Sequence, residues 1–188
     1  MANLKWLLLG VLILLGLYFI MQSQQSGYTT QNNRVFPEKT DNISKFIFEK
    51  DGVMLTLTKA DTIWSIAGHD TLVVKADRIS SLLNQALDVE RETVMTQKKD
   101  NWSKYSVDDL AGTHVKIYDA SDALLTHAVF GQSTSDWSRN YVRVGEGPEV
   151  YLTNTSVIYQ FSTGPTYWGQ TPPAPSPAVV DSVGDLEE

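Results

Sequence analysis

Two histidines, His114 and His127, come nearest to forming a reactive pair. If the strand ending at Asp119 turns back near Leu124, Lys116 falls opposite His127 and His114 lies two residues away on the same face, so the imidazoles can meet. Such a pair can pass a proton or begin a metal site, but a metal site needs a third ligand and no spacing marks one. The acidic pairs Asp108-Asp109 and Asp119 with Asp122 fall on expected loops, where calcium ligands sit, yet they lack the glycine-and-glutamate frame of a calcium loop. Gly145-Glu146-Gly147-Pro148 offers two glycines, but it joins two strands and puts a carboxylate where a phosphate would lie, so it reads as a turn. No GxSxG elbow, HExxH pair or Walker loop occurs. The chain has no cysteine, which removes thiolate nucleophiles, thiolate metal sites, disulfides and a lipoprotein anchor together. The expectation is therefore no catalytic residue, no metal ligand and no cofactor, with His114 and His127 as ordinary residues of a strand surface.

The aromatic residues suggest recognition instead. Trp102, Trp137 and Trp168 fall in expected loops or element ends, with Tyr105, Tyr141 and Tyr167 near them. Aromatics flanked by polar groups suit a protein or glycan partner when exposed. The alternative is that they fold back over the sheet. Arg139 and Arg143 flank Tyr141 at two-residue spacing, which places all three on one side of a strand. Trp137, Arg139, Tyr141 and Arg143 are accordingly the candidate partner-facing edge.

Strands must position these residues. From Ile43 the chain alternates apolar and polar residues: Phe46 and Phe48 share a face, Asp51-Gly52 supplies a hairpin turn, and Val53, Leu55 and Leu57 form the return. Residues 63–66, IWSI, make a third strand. The period then changes: Ile79, Leu82, Leu83, Ala86 and Leu87 recur at helical spacing after Asp77, a candidate N-cap. Residues 93–97 read as a strand and 102–107 as its return, with Ser106 or Asp108 capping a short turn before Gly112. Residues 113–119, 124–130, 141–144 and 150–152 complete the strands, and 156–161 a short helix. Strands, then a helix, then strands predict an α+β domain with an antiparallel sheet and one main packed helix.

What surrounds this domain sets its address. Residues 6–21, bounded by Trp6 and Met21, carry no charge and make about 24 Å of helix; with Lys5 snorkelling, the stretch from Ala2 spans a bilayer core. A cleaved secretory signal shares these features, but residues 22–27 offer no pair of small residues for cleavage. Lys5 and the amino terminus precede the span and the first later charge is Arg34, so the amino end stays cytoplasmic and the rest is exported. Lys5, Trp6 and Met21 mark this expected anchor, residues 1–21, with the lipid bilayer as its partner. Residues 22–42 read as a polar linker, 43–170 as the single extracytoplasmic domain, and 171–188 as a proline-rich, acidic, disordered tail. The net charge of -7 is concentrated there, in Asp181, Asp185, Glu187 and Glu188, and no basic face calls for nucleic acid.

The succession FIFEKDGVMLTL, TIWSI, ADRISSLLNQALDV, KYSVDDLAGTHVKIYD, VFGQ and YVRVGEGPEVYLTN resembles the bacterial family catalogued as domain of unknown function 4340, over residues 43–168. That resemblance implies an N-terminal anchor in the bacterial inner membrane and, for some members, gene neighbourhoods of ABC-type export or gliding motility. It assigns no catalytic residue. The expected role is a single-pass, non-enzymatic accessory or assembly subunit of an envelope complex with protein partners. A glycan- or peptide-binding module and an envelope enzyme are the alternatives, and a small-molecule ligand is not expected.

Overall fold

Alternation starts the fold. In β1 (Ile43–Lys50), Phe46 and Phe48 are fully buried, while Lys45, Ile47 and Glu49 between them are only partly covered. Asp51 and Gly52 have φ of 52° and 75°, the pair of positive values that a two-residue primed turn needs to match strand twist. The chain returns as β2 (Val53–Ala60), with Leu55 opposite Phe48 and Leu57 opposite Phe46. A second tight turn at Asp61, φ 55°, leads into β3 (Ile63–Ile66). The expected three-stranded meander is present in full.

The computed structural model describes residues 33–36 and 41–172. After β4 (Val73–Val74) comes α1 (Ala76–Asn84), which buries Ile79 and Leu82, and a 3₁₀ turn at Ala86–Asp88 buries Ala86 and Leu87. Lys75, not Asp77, occupies the N-cap position, and no side chain caps the helix. Asp77 lies one residue inside the first turn, where its charge still favours the helix's positive end. The remaining elements are β5 (Arg91–Thr96), β6 (Thr113–Asp119), β7 (Leu124–Gln132), β8 (Asn140–Val144), β9 (Val150–Thr153), α2 (Pro165–Trp168) and β10 (Gly169–Gln170). Pro165 opens α2, where a proline loses no helical hydrogen bond.

Among the described residues, eight strands form one antiparallel sheet in the order β3-β2-β1-β6-β7-β8-β9-β5, and β4 pairs with β10 in a separate ladder. The sheet dominates, with a few short helices, as the strand-helix-strand order predicts. One face meets α1 and an aromatic core. Trp168 is 0% exposed, stacks on Phe48 at 5.2 Å, and donates its indole N–H to the Ser162 carbonyl at 2.7 Å. Phe161 lies between Phe48 and Phe130, at 5.8 and 4.9 Å.

Three expectations need correction. Val35 and Phe36 are buried, Phe36 stacking on Phe130 at 5.9 Å, and Arg34 pairs with Asp88 at 2.6 Å. The stretch expected to be linker up to residue 42 thus contributes to the core, because two adjacent apolar groups outweigh their polar surroundings. Residues 102–107 do not return as a strand: 3₁₀ turns occupy Lys99–Asn101 and Ser103–Tyr105, and Ser106 is left-handed at φ 53°. The strand partner of β5 is β9. Of the short helix expected at 156–161, the structure forms a 3₁₀ turn at Ile158–Gln160. Among the described residues no helix is long and apolar enough to cross a membrane; the expected anchor at 1–21, the greater part of the linker and residues 173–188 of the tail lie outside them.

Trp168 is the largest fully buried side chain, and truncating it leaves a cavity that the stacked rings cannot close. Trp168→Ala is expected to lower the unfolding free energy by about 3–5 kcal/mol, read from the denaturant midpoint. A loss below about 1 kcal/mol would contradict this packing.

Candidate functional site

The other face of the sheet divides into two parts. Across β7, β8 and β9 it is covered by the chain between β5 and β6; across β1 and β6 it stays polar. The cover lies against the strand backbone. A Cβ on Gly131 would fall 2.0 Å from the Tyr105 carbonyl oxygen, and one on Gly112 would fall 2.2 Å from Val129 Cγ1. Only glycine permits these approaches. Tyr105 meets Tyr141 edge-on at 4.8 Å and donates its hydroxyl to the Met95 carbonyl at 3.2 Å. Val107, Val129, Tyr141 and Val150 form a second apolar cluster beneath it.

Arg143 stands at the centre of the cover and is 1% exposed. A buried guanidinium must have its donors satisfied. Nε donates to the Val107 carbonyl at 2.6 Å, Nη1 to the Gly145 carbonyl at 3.0 Å, and Nη2 to the Asp109 carboxylate. Its Cζ lies 4.1 Å from the centre of the Trp102 ring, and that indole N–H donates to the Pro148 carbonyl at 3.2 Å. One side chain therefore ties the cover, β8 and the β8–β9 turn together.

Beside it sits the histidine pair. Lys116 is opposite His127, as the expected register requires, and His114 Nδ1 lies 3.1 Å from His127 Nε2 with the rings stacked at 5.3 Å. The tautomers decide which ring donates. His114 Nε2 is buried and has no hydrogen-bond partner among the described residues. Burial, then the neighbouring His114, Lys116 and Arg143, hold the His127 imidazole below its ordinary value, against an opposing pull from Glu146. Lys116 itself is paired with Glu49 at 3.5 Å. A cleft of about 240 Å³ runs from His114 to the β1–β2 turn, with Glu49, Asp51 and Asp109 on its sides. Among the described residues no group of three or more His, Cys, Asp or Glu is placed to hold a metal ion. The acidic loop pairs are engaged elsewhere: Asp108 accepts the amides of Leu110 and Ala111, and Asp119 those of Ser121 and Ala123.

The four residues expected to form one edge part company. β8 is an interior strand between β7 and β9, so it is no edge. Tyr141 and Arg143 do point to the same side, but that side is covered and both are buried. The signal for this was the apolar spacing of Trp102, Tyr105 and Val107, which suits a segment folding back. Trp137 remains outside, 77% exposed, on a turn that holds its own shape. Asp136 accepts the Ser138 amide at 3.0 Å and hydroxyl at 2.5 Å, which with the nearby Arg139 keep its carboxyl below the usual range. The Asp136 amide donates to Ser133 Oγ at 3.1 Å, and Arg139 bridges Asp136 at 3.3 Å and Glu92 at 2.7 Å. Asn140 closes the base, its side-chain oxygen accepting the Val157 and Ile158 amides. Of the three tryptophans expected in loops, Trp168 and Trp102 thus fold back and Trp137 is displayed. Lys5, Trp6 and Met21 lie outside the described residues.

An antiparallel sheet with one face closed by helix and aromatics, and the other half-closed by a segment pinned on a buried arginine, defines the class. A family model for the domain of unknown function DUF4340 matches residues 64–176, and the chain belongs to that family. The match begins in β3 and leaves out β1 and β2, which the resemblance read from residue 43 had included. No curated protein and no solved structure matches the chain.

A histidine held neutral by burial and cationic neighbours couples folding to pH. Because the folded pKa of His127 lies below its ordinary 6.5, the unfolded chain binds more protons near that value. Its contribution is then complete above pH 6.5 and declines as the pH falls below it. Urea midpoints at pH 7.5 and 5.5 should show the loss, and His127→Gln, which cannot titrate but can still bond His114, should reduce it. An unchanged pH slope in that variant would contradict the assignment.

Proposed function

We propose that this protein is a single-pass, membrane-anchored, extracytoplasmic and non-enzymatic accessory or assembly subunit of a bacterial envelope complex, of the kind associated with ABC-type export or gliding machinery. The observation that carries the reading is Trp137: a large apolar ring displayed on a turn whose polar groups are already bonded to one another. A ring held in place before contact loses little conformational freedom on binding, so its burial by a partner is converted efficiently into affinity. Arg139 beside it, braced by Glu92 and Asp136, supplies a fixed cationic flank. Tyr141 and Arg143 serve from below, holding the strand that carries the turn.

The sequence of residues 1–21 supports the address. An uncharged apolar stretch behind Lys5 has the length of a bilayer span, and the charge bias keeps its amino end in the cytoplasm. A protein partner fits Trp137 better than a glycan does. Sugar hydroxyls need free polar groups around the ring, and here Ser133, Asp136, Ser138 and Arg139 are occupied within the turn.

A photo-crosslinking residue introduced at Ser135 in the full-length chain tests this in native membranes. The expected result is a discrete adduct with an integral envelope protein, weakened about tenfold or more by Trp137→Ala, as for an interface anchor. The same adduct at full yield in Trp137→Ala, or an adduct with glycan alone, would overturn the proposal.

A further inference from the structure

One end of the sheet sets exposed apolar side chains around a polar hollow. Glu49 pairs with His114, Thr113 with Phe130 and Gln132 with Asn140, so the β1–β2 turn, the end of the cover and the turn that carries Trp137 emerge together. Val53, Met54, Leu110 and Trp137 are all exposed there. Met54 is the register partner of Glu49, and partners directly opposite share a face, which puts Met54, Glu49 and His114 in one row. The cleft of about 240 Å³ lies at this row, with Glu49, Asp51 and Asp109 on its walls. Carboxylates alone make an ordinary solvated rim. What sets this cleft apart is His114, which is only 8% exposed. Its Nδ1 is engaged with His127 on the β7 side, and the two ring nitrogens of an imidazole point in nearly opposite directions. Nε2 is thereby turned to the β1 side, where Glu49 and the cleft lie. It has no partner among the described residues, and a buried nitrogen in that condition calls for one.

The groups around this nitrogen select its partner. With Nδ1 donating to His127, Nε2 is an acceptor, as are the three carboxylates. The ion pairs of Glu49 with Lys116 and of Asp109 with Arg143 engage one oxygen of each, and Asp51 has no ion pair among the described residues. Lys50 also borders the cleft, but strand alternation directs its side chain to the other face of β1. A carboxylate or phosphate would be repelled by the same three acids. The fork of arginine takes both oxygens of one carboxylate, and those of Glu49 and Asp109 are already divided. Lysine brings three donors, no acceptor and an apolar stem that suits Leu110 and Met54 at the mouth. From the cleft to the Trp137 turn the strand order runs β1, β6, β7, β8, three spacings or about 14 Å, which about five extended residues cover. We infer that the protein partner that buries Trp137 also inserts a lysine side chain into this cleft, its ammonium bonded to His114 Nε2 and the Asp51 carboxylate and its stem laid against Leu110 and Met54. The existence of that partner rests on the function proposed above; the preference of the cleft for a primary ammonium does not.

Two measurements on the full-length chain test it. In detergent micelles, with isotope-labelled histidine, n-butylammonium stands in for the lysine side chain and tetramethylammonium for charge without donors. The nitrogen resonance of His114 Nε2 should be that of an unprotonated nitrogen and shift saturably with n-butylammonium but not with tetramethylammonium. Asp51→Asn should weaken that binding about tenfold. Asparagine tolerates the positive φ of the turn as aspartate does, so the hairpin is kept. In native membranes, a photo-crosslinking residue at Leu110 should capture the same protein as one at Ser135, through a partner segment that contains a lysine. Replacing that lysine with methionine should lower the Leu110 adduct about tenfold, and combining the change with Asp51→Asn should lose no more than either alone. An equal response to the two ammonium ions, or none, would overturn the inference. So would a Leu110 adduct with a different protein, or one indifferent to the partner lysine. An adduct from Ser135 alone would overturn only the lysine contact, whereas no adduct from either position would overturn the proposed function with it.

Discussion

A guanidinium buried to 1% exposure is the constraint on which the covered face depends. A guanidinium carries five donors in a fixed fork and no acceptor, so the strand position of Arg143 commits the fold to providing acceptors around it. Two of these are main-chain carbonyls, at Val107 and Gly145, and the third is the Asp109 carboxylate. Leaving either carbonyl without a donor costs about 1–3 kcal/mol, enough to matter to a segment built from short 3₁₀ turns. Those turns bury no residue of their own, and Trp102 and Tyr105 reach the sheet through Arg143 and Tyr141. Gly112 and Gly131 complete the arrangement by letting the segment approach the sheet closely.

From that centre the consequences spread along the strands. Val129 is the register partner of both Arg143 and His114, so the arginine and the histidine pair share one strip of the sheet. Burial first, and then positive charge from His114, Lys116 and Arg143, favours the neutral form of the half-buried His127 imidazole, so the structural arginine adds to an effect that burial leads. On the opposite face the same sheet holds the aromatic core around Trp168, and the two faces meet in β8, which contributes Val142 to one and Tyr141 and Arg143 to the other. Trp137 is displayed at the start of this doubly held strand. Rigidity beneath an exposed aromatic is what a docking surface requires, and it is supplied from within the domain.

Much of this was legible in the chain. Period-two alternation located β1, β2, β6 and β7, Asp51-Gly52 marked its turn, and the turn between Asp119 and Leu124 put Lys116 opposite His127. These features depend on neighbours a few residues away, where side-chain pattern and turn chemistry are decisive. The cover was read as a strand because Trp102, Tyr105 and Val107 are strand-forming types; their role is tertiary and depends on an arginine far along the chain. Arg143 itself looked like a surface residue by type, since nothing local shows that its side of β8 would be covered. Phe36 was passed over in a polar run for the same reason: its partners, Phe130 and Phe161, lie far along the chain. Tyr141 and Arg143 were thus placed on the correct side of their strand and assigned to the wrong surroundings.

The dependence of the cover on Arg143 is open to direct measurement. In Arg143→Leu, which keeps an apolar stem and removes the donors, hydrogen exchange should accelerate across residues 102–112 while β1, β2 and β6 retain their protection. Unaltered protection across residues 102–112 would contradict the account, because it would mean that the aromatic contacts and glycine approaches hold the segment without the buried charge.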